Sequence, residues 1–416
     1  MKNNMSVPQR VVITGAGNVS PLGDSWQEVR DNLLSQRNAV RYMSEWDKFP
    51  ELKTRLGAPV ENFELPEHYR ARQKRGMGRA ARMAVVASER ALEHAGLLGD
   101  PIISSGQTGI SYGSAVGSCD AGMEFFKFLS EKSMEDINTT TYIRMMSHTA
   151  AVNIGVFFGA QGRMYTTTSA CTAGSQGVGF AYEAIRAGQQ TVMIAGGAEE
   201  LNVAQAAVFD TIMAASLKND APQTSPSPFD TNRDGLVLGE GATTLILESY
   251  DHAKARGADI LAEVIGFGTN TDGGQFVRPK QETMQRVMEL AMEDSGVSRD
   301  EVGYVSAHAT ATDQGDVFES HATYNVVGKK PINSLKSYTG HGLGACASFE
   351  LWAGINMMDE GWFAPTLNLT EVDERCADLD YIKGEPREIK TDVFMTNNFA
   401  FGGINTSLII RSKNSI

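Results

Sequence analysis

The sequence lacks the features that mark a membrane or secreted protein. It contains no run of about 18 apolar residues, so no segment is expected to span a bilayer as a helix. Residues 1–10 are polar, and the apolar stretch 11–13 breaks at once into TGAG, which is too short for the core of a secretory leader. The four cysteines show no paired CxxC spacing, which predicts a reducing compartment without a disulfide or zinc framework. We therefore expect a cytoplasmic protein.

A surplus of positive charge is also absent. The chain has 37 Lys and Arg against 50 Asp and Glu, and its net charge of -13 argues against nucleic-acid binding, because phosphate contacts need a basic face. Residues 70–82, RARQKRGMGRAAR, depart from this balance. Such a run is usually a solvated helix face, but on an acidic protein it is a candidate dock for an acidic partner. Its cations are Arg70, Arg72, Lys74, Arg75, Arg79 and Arg82.

Short apolar runs alternate with amphipathic stretches along the chain, of which 42% is hydrophobic. The runs predict strands at 11–14, 192–195, 243–247, 302–307 and 393–396. Apolar residues at helical spacing predict helices at 80–94, 176–187, 283–294 and 348–358. This alternation predicts an α/β protein with buried, largely parallel sheets.

The two halves of the sequence resemble each other weakly. The helix RMAVVASERALEHAGL and strand TGISYGSAVG are similar to MQRVMELAMEDSGV and VGYVSAHATA. TTTSACTAGSQGVGF is similar to NSLKSYTGHGLGACASF, and TVMIAGGAEE to DVFMTNNFAFGG. Three matches in one order indicate an internal duplication joined near residue 255. Two such halves would bring their corresponding turns to one shared site.

Cys171 lies in a setting that suits a nucleophile. The segment TSACTAGS, residues 168–175, passes from a β-prone stretch into a predicted helix through small residues. This pattern predicts a sharp turn with the thiol at a helix N-terminus, where the macrodipole favours thiolate and lowers the pKa. Free cysteines are usually buried and inert, which suits the other three, Cys119, Cys346 and Cys376. For Cys171 the flanking residues favour a catalytic role.

Two histidines follow predicted strands in similarly small, polar segments. His308 lies in SAHATATDQGD and His341 in KSYTGHGLGA. A lone histidine is more often structural than catalytic, but together with Cys171 they supply one nucleophile and two imidazole donors, the set that carbon–carbon condensation on thioesters needs. Lys336, five residues before His341, adds a positive charge that could orient carboxylates around the site.

Five segments carry a specific resemblance. In chain order they are SACTAGSQ, PFDTNRDGLVLGEGA, HATATDQGD, KSYTGHGLGA and NNFAFGGIN. Over nearly its whole length the chain resembles the elongating beta-ketoacyl-acyl-carrier-protein synthases of the thiolase-fold superfamily. The resemblance implies two similar halves, each with a mixed sheet, layered helix/sheet/helix/sheet/helix. The N-terminal half, residues 1–255, would carry the nucleophile, and residues 256–416 the two histidines and a gate loop.

The resemblance also implies a reaction, the decarboxylative Claisen condensation of an acyl-enzyme thioester with malonyl-acyl carrier protein. Cys171 would take the acyl chain, and His308 and His341 would hydrogen-bond the malonyl thioester carbonyl. The backbone N–H groups of Cys171 and Phe401 would form the oxyanion hole, with Phe401 also gating the acyl pocket. The product would belong to fatty-acid synthesis or to a specialised polyene or polyketide-type pathway.

Further positions match the family residue by residue. Thr310 and Thr312 would hold the phosphopantetheine arm, and Val116 would line the acyl tunnel. Lys336 would form a charged outer layer with Glu319 and Glu350. The carrier-docking residues would be Arg70, Arg72, Lys74, Arg75 and Arg79.

The partners and cofactors implied are few. The substrates would arrive on the phosphopantetheine of acyl carrier protein, with no resident cofactor and no metal. The chain would pair as a homodimer, or as a heterodimer with a related chain-length subunit, and would bind neither nucleic acid nor membrane.

The chain departs from the family pattern at three positions. Ala309 stands where the family usually has glycine after the first histidine, and the gate loop reads AFGGI, with Ala400 and Ile404, where G-F-G-G-T is usual. An added methyl group restricts the backbone angles that glycine permits. These changes suit a specialised synthase better than a housekeeping enzyme.

Two rival functions stay open. A coenzyme A-dependent thiolase would need a second catalytic cysteine in the closing loop, and residues 397–405 contain none. A non-catalytic chain-length subunit would not need Cys171, His308, His341 and Lys336, all of which are present. A dinucleotide-binding function is not expected, because TGAGNVS at residues 14–20 has Ser20 where the third glycine of that fingerprint belongs.

Overall fold

A computed structural model describes residues 8–416 of the chain. Residues 1–7 lie outside the described residues. They make up most of the polar segment 1–10, in which no secretory leader was expected. The helices longer than one or two turns are α1 (Trp26–Leu34), α3 (Arg79–His94), α4 (Cys119–Glu131), α5 (Thr139–Met145), α6 (Thr149–Phe158), α7 (Ala173–Arg186), α8 (Val203–Thr211), α10 (Gln281–Ser295), α11 (Asp313–Val327) and α13 (Cys346–Glu360). The short ones are α2 (Ala71–Lys74), α9 (Tyr250–Ala255) and α12 (Lys336–Thr339).

Within residues 8–416, eleven strands form the main sheet, in the spatial order β13-β11-β10-β15-β16-β9-β1-β8-β6-β4-β5. They are β1 (Val11–Val19), β4 (Thr108–Gly113), β5 (Met164–Thr167), β6 (Val192–Glu199), β8 (Gly241–Ser249), β9 (Ala262–Thr271), β10 (Tyr304–Ser306), β11 (Pro331–Asn333), β13 (Asp380–Tyr381), β15 (Val393–Ala400) and β16 (Ile404–Ser412). Two small sheets contain β2 (Arg41–Tyr42), β3 (Leu56–Ala58) and β7 (Leu238–Gly239), and β12 (Trp362–Phe363) with β14 (Arg387–Glu388).

The strand pairing repeats between the halves. In the first half β1 is antiparallel to β8 and β8 to β6, while β6, β4 and β5 are parallel. In the second half β9 is antiparallel to β16 and β16 to β15, while β15, β10 and β11 are parallel. The two half-sheets join where Val11–Ile13 of β1 pairs antiparallel with Ala262–Val264 of β9. The sheet is therefore mixed, with antiparallel pairs around the junction of the halves and parallel pairs towards both edges, and the expectation of largely parallel sheets is wrong.

Helices cover the sheet in layers. α7 and α13 pack between the half-sheets, and their apolar residues share one buried cluster with strands of both halves. α3 covers the outer face of the first half and α10 and α11 that of the second, each over its own buried cluster. The predicted thiolase-like arrangement of helix/sheet/helix/sheet/helix is confirmed.

Glycines in the first strand of each half let the outer helix approach closely. A Cβ at Gly17 of β1 would lie 2.1 Å from the carbonyl oxygen of Ala87 in α3. A Cβ at Gly268 of β9 would lie 2.3 Å from the carbonyl oxygen of Val287 in α10. The glycines of the TGAG segment thus serve helix–sheet packing, which explains the false likeness to a dinucleotide fingerprint.

Within residues 8–416, no helix combines the length and the apolar composition needed to cross a membrane.

Candidate active site

The strand-to-helix turns of the two halves meet at one point. Cys171 lies in the 3-10 turn Ala170–Thr172, directly before α7. In the second half, His308 lies two residues beyond β10, and His341 lies between α12 and the turn that enters α13. The duplication thus brings together side chains that are far apart in sequence.

The three side chains are buried and close. Nε2 of His341 lies 3.0 Å from Sγ of Cys171. One side-chain atom from each of Cys171, His308 and His341 lies within 4.8 Å of the others. The imidazole rings of the histidines meet edge to face, with their centroids 5.2 Å apart. The predicted set of one thiol and two imidazoles is therefore assembled.

Backbone strain accompanies this assembly. Ala170, which precedes the nucleophile, has φ 51°, Ala311 has φ 64°, and Leu343, two residues after His341, has φ 44°. Non-glycine residues with positive φ are uncommon, and the conformation costs on the order of 1–3 kcal/mol unless the surroundings enforce it. Strain at three turns around one site is typical of a functional centre.

The electrostatics of Cys171 correct one prediction. Burial raises the pKa of the Cys171 thiol to about 11, although the backbone N–H of Phe401 and the charge of Lys336 act to lower it. The helix N-terminus was expected to lower this pKa below its ordinary value, and that expectation is wrong, because burial has the larger effect. At neutral pH the resting group is a thiol.

Both histidines are neutral. Burial lowers the pKa of His308 and of His341 well below the ordinary value, and the positive charge of Lys336 lowers both further. Nδ1 of each ring has no hydrogen-bond partner among the described residues. A neutral imidazole can donate one N–H and accept at its other nitrogen, so each ring can serve as a hydrogen-bond donor to a substrate oxygen.

Lys336 is fully buried and paired. Its ammonium group donates to a carboxylate oxygen of Glu350, whose other oxygen accepts from Nδ2 of Asn398 at 2.9 Å. Burial alone would lower the pKa of Lys336, but Glu350 and Cys346 raise it on balance. The site therefore holds a buried ion pair whose ammonium group is close enough to both histidines to affect their pKa values.

Glu319 fixes the backbone at His308. Its carboxylate accepts the N–H groups of His308 and Ala309, both at 2.7 Å. Burial raises the pKa of Glu319 to about 8. The structure thus places both predicted acidic residues at the site, with Glu350 on the lysine and Glu319 on the histidine turn.

A cavity of about 220 Å³ leads to these side chains. Its walls include Cys171, both histidines, Thr310 and Thr312. The two threonine hydroxyls lie 3.1 Å apart. The predicted substrate-binding threonines therefore face the reactive thiol's cavity.

Val116 lies elsewhere. It does not line this cavity, its side chain is exposed, and its backbone N–H donates to Glu199 at 3.3 Å. The cavity of the isolated chain does not extend to it, so the predicted position of Val116 on the substrate channel is not seen here.

Phe401 closes one side of the cavity. It occupies the turn between β15 and β16, followed by Gly402 and Gly403 with φ of 87° and 72°, angles that favour glycine. Its ring lies 5.1 Å from that of Phe209 on α8. Two aromatic rings thus border the thiol on the side that the gate was expected to occupy.

The three residues that depart from the family pattern have ordinary backbone angles. Ala400 and Ile404 face each other as the last pair of the β15–β16 ladder. Neither they nor Ala309 have positive φ. The extra side-chain atoms therefore add no backbone strain in this conformation, and any effect must come from the space that they occupy.

The basic run folds into α2 and the start of α3. Arg70, Arg72 and Arg75 are exposed, and Lys74 is half-buried. None of these four forms an ion pair with an acidic side chain of residues 8–416. Arg79 differs, since its guanidinium donates to the buried carboxylate of Glu240 at 2.7 and 2.8 Å. Its predicted role in docking is thus in conflict with this pairing, and we assign it to the support of Glu240.

Two buried groups at the site were missed from the sequence. The thiol of Cys346 lies 3.7 Å from the carbonyl oxygen of Cys171, although it was expected to be inert. Glu199 accepts the N–H of Ala115 at 2.6 Å and of Gly344 at 3.3 Å, and so connects the loop after β4 to the turn after His341. The neighbouring glutamates of the GGAEE segment were the only local signal for Glu199.

Comparisons with known proteins agree with this geometry. Residues 8–253 match Beta-ketoacyl synthase, N-terminal domain, and residues 261–370 match Beta-ketoacyl synthase, C-terminal domain. The 3-oxoacyl-acyl-carrier-protein synthase 1 of Haemophilus influenzae is 32% identical over 416 residues, covering 98% of this chain and 100% of the relative.

Solved structures give the same result. A beta-ketoacyl synthase from Burkholderia phymatum has a TM-score of 0.96 and 53% identity, covering 97% of this chain and 99% of that one. A type II PKS ketosynthase, solved with its acyl-carrier protein, has a TM-score of 0.87 and 30% identity over 97% and 99% of the two chains. The resemblance predicted from the five segments is confirmed, and the chain belongs to the beta-ketoacyl synthase family of condensing enzymes.

Proposed function

We propose that this enzyme condenses an acyl group held on Cys171 with a malonyl unit delivered by acyl carrier protein. The observation that carries the proposal is the contact of 3.0 Å between Sγ of Cys171 and Nε2 of neutral His341, with His308 beside them in the same cavity. A reactive thiol facing two uncharged imidazoles suits thioester chemistry that creates and quenches an enolate.

Acylation comes first. Cys171 loses its proton, its sulfur attacks the thioester carbonyl, and the carrier thiol leaves with a proton. The backbone N–H groups of Cys171 and Phe401 both lower the thiol pKa, so both are directed at this sulfur. Both groups would hold the oxyanion of the tetrahedral intermediate.

Decarboxylation follows when the malonyl arm enters. The bond between the carboxylate and the α-carbon breaks, carbon dioxide leaves, and negative charge develops on the thioester oxygen. His308 and His341 donate hydrogen bonds to that oxygen. The enolate carbon then attacks the acyl thioester, the bond to Sγ of Cys171 breaks, and the β-ketoacyl product stays on the carrier. Glu319 accepts the backbone N–H of His308 and so positions that residue. Burial and the charge of Lys336 act on both imidazole rings and keep them neutral.

The exposed cations of the basic run would receive the carrier. Arg70, Arg72, Lys74 and Arg75 form no ion pair within the described chain, which leaves their charge available to an acidic partner. The type II PKS relative forms a complex with its acyl-carrier protein, which supports the same class of partner here. The malonyl and acyl groups are then carried by the partner's arm, and we propose no resident cofactor or metal.

We further propose that two chains pair side by side. β5 lies at the edge of the sheet, and Met164 on it is exposed, as are Val156 on α6 and Met123 and Phe126 on α4. An unpaired strand beside apolar side chains is a surface that soluble proteins cover. A second copy is the simplest cover, and a related chain-length subunit is the alternative.

Two smaller points belong to the same proposal. The halves divide at residues 255 and 256, because α9 ends at Ala255 and the repeat of strand order begins with β9 at Ala262. A cytoplasmic location suits an enzyme whose Cys171 must stay reduced, and all four cysteines are free.

One experiment tests the function. Purified enzyme is offered malonyl carrier protein with acyl carriers that differ in length and unsaturation, and the products are identified by mass spectrometry. We expect an acyl adduct on Cys171 followed by a β-ketoacyl carrier. A Cys171→Ala variant is the matched control. Condensation by that variant at the wild-type rate would contradict the proposal, and decarboxylation without acyl transfer would favour the chain-length subunit.

A further inference from the structure

The mouth of the cavity is formed partly by the loop between β9 and α10, residues 272–280. Phe276, Val277, Arg278 and Pro279 line the cavity that ends at Cys171. Phe276 and Val277 are exposed, which is unusual for side chains of this size. The loop therefore presents apolar groups and one cation to anything that enters.

Arg278 adds a positive charge to the lining of this cavity. It is the only Lys or Arg among the lining residues in the described part of the chain. It forms no ion pair with an acidic side chain of residues 8–416, and it is exposed at the opening. Its guanidinium group is therefore not held by an ion pair within residues 8–416.

The acidic side chains that line the cavity have other partners. Asp272 accepts the amide of Asn405 at 2.7 Å, Asp316 accepts the N–H of Phe229 at 2.8 Å, and Glu319 accepts two N–H groups at the histidine turn. Among the described residues, none of these three carboxylates forms an ion pair with Arg278.

The loop that carries Arg278 is anchored on both sides. The N–H of Gly402 donates to the carbonyl oxygen of Phe276 at 2.8 Å, and the N–H of Asp272 donates to Gly403 at 2.7 Å. Nζ of Lys280 donates to the carbonyl oxygen of Asp272 at 2.9 Å. These contacts hold the loop against the turn of Phe401, so Arg278 has a defined place beside the opening.

The substrate carries an anionic group that Arg278 could bind. Phosphopantetheine carries its thioester at one end and a phosphate ester at the other. When the thioester reaches Cys171, the arm passes Thr310 and Thr312, and the phosphate stays near the opening. A guanidinium group matches a phosphate in charge and geometry and binds it through two parallel hydrogen bonds.

We propose that Arg278 binds the phosphate of the phosphopantetheine arm. This inference rests on the proposed function, since it requires an arm in the cavity. It names a contact different from the basic run, which would recognise acidic side chains of the carrier protein itself. Arg278 recognises chemistry that the carrier-bound arm shares with free phosphopantetheine and coenzyme A.

Small thioesters separate these possibilities. Acyl-phosphopantetheine and acyl-pantetheine differ only by the phosphate, and the second-order rate of Cys171 acylation by each is measured by mass spectrometry. For Arg278→Gln we expect a loss of about 10-fold with acyl-phosphopantetheine, the scale of a charged hydrogen bond. The rate with acyl-pantetheine should stay at the wild-type value. Arg278→Lys should recover part of the loss, because lysine keeps the positive charge but lacks the paired N–H donors of a guanidinium group.

Two controls complete the test. Lys390→Gln removes an exposed cation from the far end of β15 and should change neither rate. Acyl-coenzyme A and acyl carrier protein, tested in parallel, should both lose rate in Arg278→Gln. A loss confined to the carrier protein would overturn the inference, since Arg278 would then contact the protein and not the phosphate.

Other outcomes also decide. Equal losses with and without the phosphate would show that the substitution disturbs the loop, and no loss with any substrate would show that the phosphate lies elsewhere. Both overturn the inference while the proposed function stands. If the wild-type enzyme is acylated by none of these donors, the proposed function itself fails.

Discussion

Nε2 of His341 lies 3.0 Å from Sγ of Cys171, although 170 positions separate the two residues in the chain. One comes from the first half of the duplicated fold and the other from the second. The contact exists because corresponding strand-to-helix turns of the two halves face each other across the helices α7 and α13. Each half supplies what the other lacks, a nucleophile on one side and hydrogen-bond donors on the other.

The state of the thiol gives the first prediction. Because burial raises the pKa of Cys171 to about 11, the reactive thiolate is a minor form at neutral pH. At pH values below the pKa, the thiolate fraction rises about tenfold with each unit of increasing pH. We expect the rate of Cys171 alkylation by iodoacetamide to rise steadily from pH 6 through pH 9, measured by mass spectrometry of the labelled peptide.

The control for alkylation is Cys171→Ala. Burial raises the pKa of Cys346 well above its ordinary value, so this neighbour should not replace Cys171 as the modified residue. A plateau of the wild-type rate at or below pH 7 would contradict the prediction. It would indicate an ion pair of thiolate with a charged imidazole instead of two neutral groups.

The histidines give the second prediction. In His308→Ala or His341→Ala, decarboxylation of malonyl carrier protein should fall by about 100-fold or more, because one donor to the enolate oxygen is lost. Acylation of Cys171 should fall less. The two steps are measured separately, as carbon dioxide release and as the acyl adduct on the protein. Normal decarboxylation by both variants would show that the enolate is stabilised elsewhere.

A pH dependence follows from the same histidines. Burial and Lys336 lower the pKa of both rings well below the ordinary value. A group with a lowered pKa protonates only as the pH falls through that lower value, so both rings stay neutral between pH 6 and 8. Decarboxylation should therefore be nearly constant over this range when the malonyl carrier is saturating. A decline centred near pH 6.5 would mean that an imidazole titrates at its ordinary pKa.

The sequence predicted the parts of the site that depend on local pattern. The turn at Cys171, the strand before His308 and the order of the halves all leave a trace in residue type and spacing. His341 was also expected to follow a strand, but the short helix α12 precedes it. Strand ends were less visible. β1 was expected to end at residue 14 but continues to Val19, because its small residues pair with β8 as far as Ala242. Glycine weakens the strand pattern, although here it serves packing against α3.

What escaped the sequence depends on contacts between distant residues. The ion pair of Arg79 with Glu240 spans 161 positions, and a basic run alone cannot reveal that one of its members is occupied. The raised pKa of Cys171 results from burial by segments of both halves, which outweighs the helix terminus that the local sequence indicates. The contact of Cys346 with the carbonyl of Cys171 likewise crosses the halves.

Lys336 gives the third prediction. Lys336→Met would leave Glu350 as an unpaired buried carboxylate, and breaking a buried pair in this way costs about 3–5 kcal/mol. We expect the midpoint of urea unfolding to fall accordingly. The double variant Lys336→Met/Glu350→Gln should regain most of that loss, because no charge is left buried. Equal midpoints for the two variants would show that the pair does not act as a unit.

The basic run gives the last prediction. Arg72 and Arg75 are exposed, Lys74 is half-buried beside them, and none has an acidic partner among residues 8–416, so their charge can steer an acidic carrier. Reversing all three to glutamate should raise KM for carrier-bound substrate and flatten its dependence on salt. Acyl-pantetheine should react as before, because it needs no docking surface.

Arg79 supplies the contrast within this run. Since it binds the buried carboxylate of Glu240, Arg79→Glu should lower the unfolding midpoint and reduce the reaction of carrier-bound and carrier-free substrates alike. The triple reversal should leave the midpoint unchanged, because exposed, unpaired cations contribute little to stability. If the triple variant loses activity equally with both kinds of substrate, the run supports the fold and does not dock the carrier. If it loses activity with neither, the run is a solvated helix face and the carrier binds elsewhere.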